Sequence, residues 1–209
     1  MIRIATSNTK LGKIPSFSFT PGVFTDANGD TQTPCPGASA WCAAKCYAKK
    51  FTARYSNVKT AYDANFDATL TPHYFEAAMT DWLAKHAPTV FRIHVSGDFH
   101  NAAYAMAWAQ IVQRFPKIHF YAYTRSWNTT QTDLLGTLNL LRRMPNMQLF
   151  ASWDNTMPPP PARWRKAVIA DGLNDTRVVC MEQTGAKPNC AACGYCFRGV
   201  QGDITFKIH

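Results

Sequence analysis

Four short apolar runs recur along the second half of the chain at an almost fixed interval, and no other feature limits the fold as much. Residues 90–96 (VFRIHVS), 118–124 (IHFYAYT), 147–153 (MQLFASW) and 177–181 (RVVCM) begin 28, 29 and 30 residues apart. Each is rich in β-branched and aromatic residues, the composition of a strand. Between the first two, Tyr104, Trp108, Ile111 and Val112 lie at helical spacing within 102–114, ahead of Pro116. Between the next two, Leu134, Leu135, Leu138 and Leu141 mark a helix that Thr132 or Asp133 can cap and that stops before Pro145. Prolines 158–161 bound a loop, 162–170 reads as a third helix closed by Gly172, and 204–208 as a last strand. The interval is that of a βα unit, and no sequence self-similarity accompanies it, so the chain is not a solenoid. Successive βα units make a parallel sheet, open or closed into a full or partial barrel.

Alternation within the strands chooses between these. Arg92, His94 and Ser96 share one face of the first run, His119, Tyr121 and Tyr123 one face of the second, and Gln148 and Ser152 one face of the third. An open sheet covered on both sides is almost uniformly apolar. A polar face repeated on three strands predicts a partial parallel (βα) barrel with a lumen of functional groups; a solvent-facing edge is the alternative. Ahead of these units, 16–20 suggests a short strand, 21–36 a Gly/Asp/Pro-rich loop, and 58–70 and 71–86 two helices, the second opened by Thr71 and Pro72. A single domain, 1–209, is expected. Its parts are an N-terminal strand, cysteine loop and helices (1–89), the βα units (90–182) and a cysteine-rich segment (183–209).

The seven cysteines fall into two groups. Cys190, Cys193 and Cys196 form C-x2-C-x2-C, with Cys180 ten residues upstream; Cys35, Cys42 and Cys46 form C-x6-C-x3-C. An odd count and such spacings argue against a disulfide framework. No apolar core of a signal peptide opens the sequence, so a reducing, cytoplasmic setting is expected. Three thiolates on one short loop suit a 4Fe-4S cluster, with Cys180 as the fourth ligand by count and proximity. Zinc more often takes separated pairs, and it remains an alternative at the C-terminal group. A three-cysteine site at Cys35, Cys42 and Cys46 would leave one iron open to a ligand; buried free thiols are the plainer reading there. One cluster built from both groups and two separate clusters are equally compatible with the sequence.

Hydrophobic content of 46% with 17% charged residues describes a folded chain rather than a disordered one. No apolar run approaches the roughly 20 residues of a membrane helix. The net charge of +9 arises from having 13 acids against 22 bases. It makes nucleic acid or another polyanion a plausible partner. Around the first cysteines, Trp41, Tyr47, Phe51 and Tyr55 interleave with Lys45, Lys49, Lys50 and Arg54, a mixture that fits stacking and phosphate contact on a single strand. An amphipathic helix with its aromatic face in the core accounts for the same pattern. The oligomeric state is not legible.

Asp98 follows Gly97 at a predicted strand end, where a carboxylate can bind an amine or hydroxyl, or can stabilise the dipole of the next helix. His94 alternates with apolar residues and fits proton transfer, metal binding or a buried hydrogen bond. Glu182, close after Cys180, is a candidate catalytic or cluster-supporting carboxylate. Tyr195 and Phe197 are placed to shield a cluster from water. No Walker loop, dinucleotide fingerprint, zincin motif or nucleophile elbow is present.

An ordered set of motifs spans nearly the whole chain: SNTKLGKIPSFS, CPG…C…CYAKK, FRIHVSGDF, FYAYTRSW, the PPPP loop and EQTG…C-x2-CGYCF. Together they resemble the phage-encoded "gene product 88" family, a kinship that would place the chain in host cytoplasm. A more distant similarity is to radical S-adenosylmethionine enzymes, which are partial βα barrels with a three-cysteine 4Fe-4S loop after the first strand. That likeness implies Cys35, Cys42 and Cys46 as the cluster loop and Ser96-Gly97-Asp98 in the place of the motif that binds the methionine amino group. It also implies Thr124, Arg125 and Ser126 as contacts to a carboxylate or ribose of S-adenosylmethionine. The cysteine spacing departs from the usual C-x3-C-x2-C. Three functions follow: an iron–sulfur enzyme with catalytic candidates Asp98, His94 and Glu182, acting on a nucleic acid or nucleotide; a metal-stabilised nucleic-acid-binding protein without catalysis; or an iron–sulfur redox or sensor protein.

Overall fold

The recurring apolar runs build one parallel sheet. The computed structural model describes residues 1–26, 29–169, 177–199 and 202–208. In chain order the strands and helices are β1 (Ile4–Ala5), β2 (Ser16–Phe17), β3 (Phe24–Thr25), β4 (Thr31–Gln32), α1 (Ala40–Lys45), α2 (Tyr47–Arg54), α3 (Ser56–Thr69), α4 (Pro72–His86) and β5 (Val90–Ile93). They continue with α5 (Ala102–Arg114), β6 (His119–Thr124), α6 (Thr132–Leu141), β7 (Met147–Trp153), β8 (Arg165–Ile169), β9 (Val178–Val179), α7 (Cys190–Cys193) and β10 (Ile204–Phe206). The main sheet has the order β1-β2-β5-β6-β7-β8-β10-β9. Every pairing in it is parallel except that of the edge strand β1 with β2. Among the described residues β1 and β9 do not pair with each other, so the sheet is not a closed barrel.

Local chemistry explains most of these elements. Pro72 opens α4, where its missing N–H costs nothing. Asn101 caps α5 by accepting from the Tyr104 N–H. Residues 162–170, expected as a helix, instead supply β8, and Ala170 and Gly172 lie outside the described residues. The run Ala167-Val168-Ile169 is too short for a buried helix and β-branched at its end, and a turn at Ala162 and Arg163 (φ 69°) separates it from the four prolines. Arg165 then spans the sheet surface: its Nε donates to the Gly202 carbonyl at 2.9 Å and its Nη1 to Gln148 Oε1 at 2.6 Å. The strand expected over 177–181 is β9, at the sheet edge, with β10 inserted between it and β8.

One face of the sheet carries Phe91, Ile93, Phe120, Ala122, Leu149 and Ala151 into the main core with Phe75, Leu83 and Trp108 of the helices. On the opposite face Tyr121, Tyr123 and Phe150 pack against the C-terminal segment through Tyr195, Cys196 and Phe197. Arg92 belongs to this second face, its guanidinium lying 5.0 Å from the Tyr123 ring centre. The polar face inferred from alternation is therefore present in Arg92, Tyr121, Tyr123 and Gln148, while His119, His94 and Ser96 depart from it, Ser96 lying past β5 with its hydroxyl on the Phe19 carbonyl. His119 is exposed at the start of β6. His94 lies beyond the end of β5 in a left-handed conformation (φ 59°). The alternation breaks there, and the ring turns into the helix-side core, where Nε2 meets the Tyr104 hydroxyl at 2.7 Å.

His100 lies in the same core, and its surroundings fix its proton. Thr69 Oγ1 donates to the Phe66 carbonyl and so receives the His100 Nε2–H at 2.9 Å; the Asn101 amide donates to Nδ1. Burial pushes the imidazole down to about 4. Because the folded value lies below the unfolded one of about 6.5, this group takes stability away as pH falls from about 6.5 towards 4. In urea titrations, His100→Gln is expected to lose about 2 kcal/mol less than the parent between pH 7 and pH 4.5. Equal losses would show that His100 does not titrate in this way.

Candidate functional site

The strand ends of β5, β6 and β7 meet the first cysteine loop. Gly97, at φ 82°, leaves no room for a side chain: a Cβ would stand 2.4 Å from the Phe19 ring. Ser96 Oγ donates to the Phe19 carbonyl at 2.9 Å. Asp98 then joins the two neighbouring strand ends. Its Oδ1 accepts from the Phe99 N–H and from Thr124 Oγ1 at 2.7 and 2.6 Å, and its Oδ2 from the Arg125 N–H at 2.7 Å. Ser126 completes the link, its N–H donating to Thr124 Oγ1 and its hydroxyl to the Phe99 carbonyl. Burial raises Asp98 to about 6 against the pull of these hydrogen bonds. The cap of α5 is Asn101, so Asp98 does not serve as that helix's N-terminal acid.

Arg125 carries the link to the cysteines. Its Nη1 forms a buried ion pair with Asp154 Oδ2, just past β7. Burial works to raise Asp154, but hydrogen bonds from Thr156 and Ser39 and the Arg125 charge outweigh it and hold the carboxyl below its ordinary range. Ser39 Oγ donates to Asp154 Oδ2 at 2.7 Å and accepts from the Cys42 N–H at 3.0 Å, capping α1. Gly37 lies directly on the Arg125 carbonyl, where a Cβ would overlap the oxygen. The loop thus holds Cys35, Cys42 and Cys46 against the strand ends. Burial pushes the Cys35 thiol up, as do the charges of Asp98, Cys42 and Cys46. Burial also raises Cys42, against the lowering charge of Arg125.

The second cysteine group lies on the other face of the sheet. Gly12 (φ 68°) packs on the Asn189 side chain, and the Lys10 carbonyl accepts from the Cys190 N–H at 2.8 Å, hooking α7 to the N-terminal loop. All four cysteines, Cys180, Cys190, Cys193 and Cys196, line one small cavity of about 20 Å³, room for about one water molecule. Lys10 and Arg92 line it as well. Burial raises Cys190, with the Arg92 charge opposing, and raises Cys196 to about 11, with the Tyr123 hydroxyl opposing. Glu182 forms an ion pair with Lys10 at 3.3 Å.

The predicted site residues therefore separate. Cys35, Cys42, Asp98, Thr124, Arg125 and Ser126 come together. Glu182 joins the C-terminal group, and His94 belongs to the aromatic core, held there by Tyr104, so the three catalytic candidates share no site. Among the described residues no three His, Cys, Asp or Glu side chains converge to hold a metal ion as they stand. Sequence reasoning assigned no role to Asp154, Ser39 or Lys10, and placed Arg92 only on the polar face of the first strand. Asp154 had a signal, an acid just after a strand end like Asp98; Arg92 had one too, a charge alternating with apolar residues.

Fold and site define a mixed α/β protein with a mostly parallel sheet and cysteine-rich segments at its strand ends and on one face. The chain belongs to the Gene product 88 family, whose model matches residues 3–204. It is similar to the Gene 88 protein of Mycobacterium phage D29, 29% identical over 196 residues that cover 79% of this chain and 78% of the relative. The Gene 88 protein of Mycobacterium phage L5 is 33% identical over 130 residues, 57% of this chain and 52% of that protein. No solved structure matches. Among the described residues no helix is long and apolar enough to cross a membrane.

Proposed function

We propose that this chain is an iron–sulfur enzyme in which Cys180, Cys190, Cys193 and Cys196 hold a closed 4Fe-4S cluster and Cys35, Cys42 and Cys46 an open one. The observation that carries the reading is the pocket shared by all four C-terminal cysteines. Its electrostatics fit a thiolate cluster. Four thiolates around a cubane bear net negative charge, and Lys10 and Arg92 line the same space.

At the first group Cys35 and Cys42 lie within the field of Asp98, with Cys46 beside them, at the C-terminal ends of parallel strands, where α/β proteins bind ligands. When bound, an open cluster supplies electrons and a coordination position for a ligand such as S-adenosylmethionine. The chain's own residues shape the mouth around it. Arg125 keeps the loop in place through Asp154 and Ser39, and Asp98 fixes the strand ends. Asp98 has both oxygens engaged by protein donors and is read as a positioning residue. A partial barrel like that of radical S-adenosylmethionine enzymes is part of this proposal. The test is electron paramagnetic resonance of the dithionite-reduced protein with and without S-adenosylmethionine. One of two cluster signals is expected to shift, and to vanish in Cys42→Ser. An unchanged spectrum contradicts the open site. The saturation of Asp98 favours a second reading in that event, a metal-stabilised binding protein without catalysis.

A further inference from the structure

The helix that follows the first cysteine loop presents an unusual surface. Tyr47, Phe51 and Tyr55, four residues apart along and just beyond α2, fall on one stripe. They are 51%, 51% and 39% exposed. The alternative of a core-facing aromatic stripe therefore does not hold; Ala48 is the buried residue of α2. Phe51 and Tyr55 lie 4.8 Å apart between ring centres, and the Arg54 guanidinium is 5.4 Å from the Tyr55 ring. Lys45, Lys50 and Arg54 stand exposed alongside. No acid occurs in the sequence between Asp30 and Asp63. Asp63 itself is occupied by Lys59 and Thr20.

From this we infer that the α2 stripe is a docking surface for single-stranded nucleic acid, which it leads to the mouth at Cys35, Cys42 and Cys46. The inference rests on the proposed function for its destination, and names that site's substrate class. Exposed rings stack unpaired bases whatever their identity, while flanking cations meet the phosphates; a duplex keeps its base faces hidden. Charge complementarity favours a polyanion over a second copy, since two such acid-free faces repel. Continuity with the mouth is direct. Cys46 is the residue before α2, and the Tyr47 hydroxyl donates to the Val95 carbonyl just after β5.

Fluorescence anisotropy tests it on anaerobically purified protein. The probes are labelled oligothymidylate and oligouridylate of about 15 nucleotides, with a duplex of equal length as competitor. Both single strands are expected to bind, the duplex to compete poorly, and affinity to fall as salt rises. Phe51→Ala with Tyr55→Ala should cost about ten-fold or more in affinity with the salt slope kept. Lys50→Glu with Arg54→Glu should weaken binding and reduce the slope by about 1.4, at roughly 0.7 for each phosphate contact. A duplex that competes equally, unchanged binding in the aromatic variant, no binding, or a sedimentation shift to a dimer through this face overturns the inference. Iron measured on the same preparations separates the two claims. Iron-loaded protein that ignores single strands refutes only the docking surface; iron-free protein that binds them refutes only the clusters.

Discussion

Cys190→Ser combined with Cys193→Ser, prepared without oxygen, is expected to lose one whole cluster, about four iron atoms per chain, and to keep the other. The two residues open and close the short helix α7, and both line the pocket with Cys180 and Cys196. Removing two thiolates leaves too few ligands to hold a cubane. The structural consequence should be large, because this segment covers the sheet: Phe197 packs 5.6 Å from Tyr121, and Tyr195 and Cys196 pack on the Phe150 cluster. Metal binding to a site absent from the unfolded chain adds to folding free energy, and here the site would tie down the segment that covers the sheet. A marked drop in melting temperature should therefore accompany the iron loss. Cys42→Ser serves as the contrast. It should lose the mouth cluster while the C-terminal one and most of the stability remain. A double variant with the parent's iron content and melting temperature would remove the closed cluster from the account.

Asp154→Ala carries the second large effect. The substitution leaves the Arg125 guanidinium buried without its counter-charge, and it strips an acceptor from Ser39 and Thr156. Breaking one partner of a buried pair costs about 3–5 kcal/mol. Chemical denaturation should show that loss. Because Ser39 caps α1 and fixes the Cys42 N–H, the loop that bears the first cysteines should loosen too, seen as faster thiol alkylation at Cys42 in iron-free protein. A change below about 1 kcal/mol, the worth of an exposed pair, would mean that water reaches Arg125 and that the ion pair does not anchor the loop.

Much of the sheet could be read from the sequence because period and alternation are strong local signals. Residues 147–153 formed the strand expected, and 102–114 the helix. The misread segment, 162–170, ends in a short apolar run, 167–169, after three cations, and in such short runs strand and helix differ only through partners. Here those partners are β7 and β10, the second distant in sequence. His94 shows a different limit. A strand pattern extends through it, yet the chain turns left-handed at that residue, a change that no residue pattern announces. The shared pocket of the C-terminal cysteines was foreseeable from C-x2-C-x2-C and the nearby Cys180. Arg92 and Lys10 beside them come from β5 and the N-terminal loop, and only the fold brings those segments to α7. Asp98 was legible as a strand-end acid, whereas its saturation by Phe99, Thr124 and Arg125 depends on two strands meeting.

The most direct test of the central claim is metal and sulfide analysis of the full chain, purified without oxygen and paired with thiol counting. The account predicts iron and acid-labile sulfide in equal amounts, about eight of each per chain for two cubanes, with the cysteines protected from alkylation until the iron is removed. Zinc without sulfide would contradict it, as would seven thiols that react freely in metal-free, folded protein.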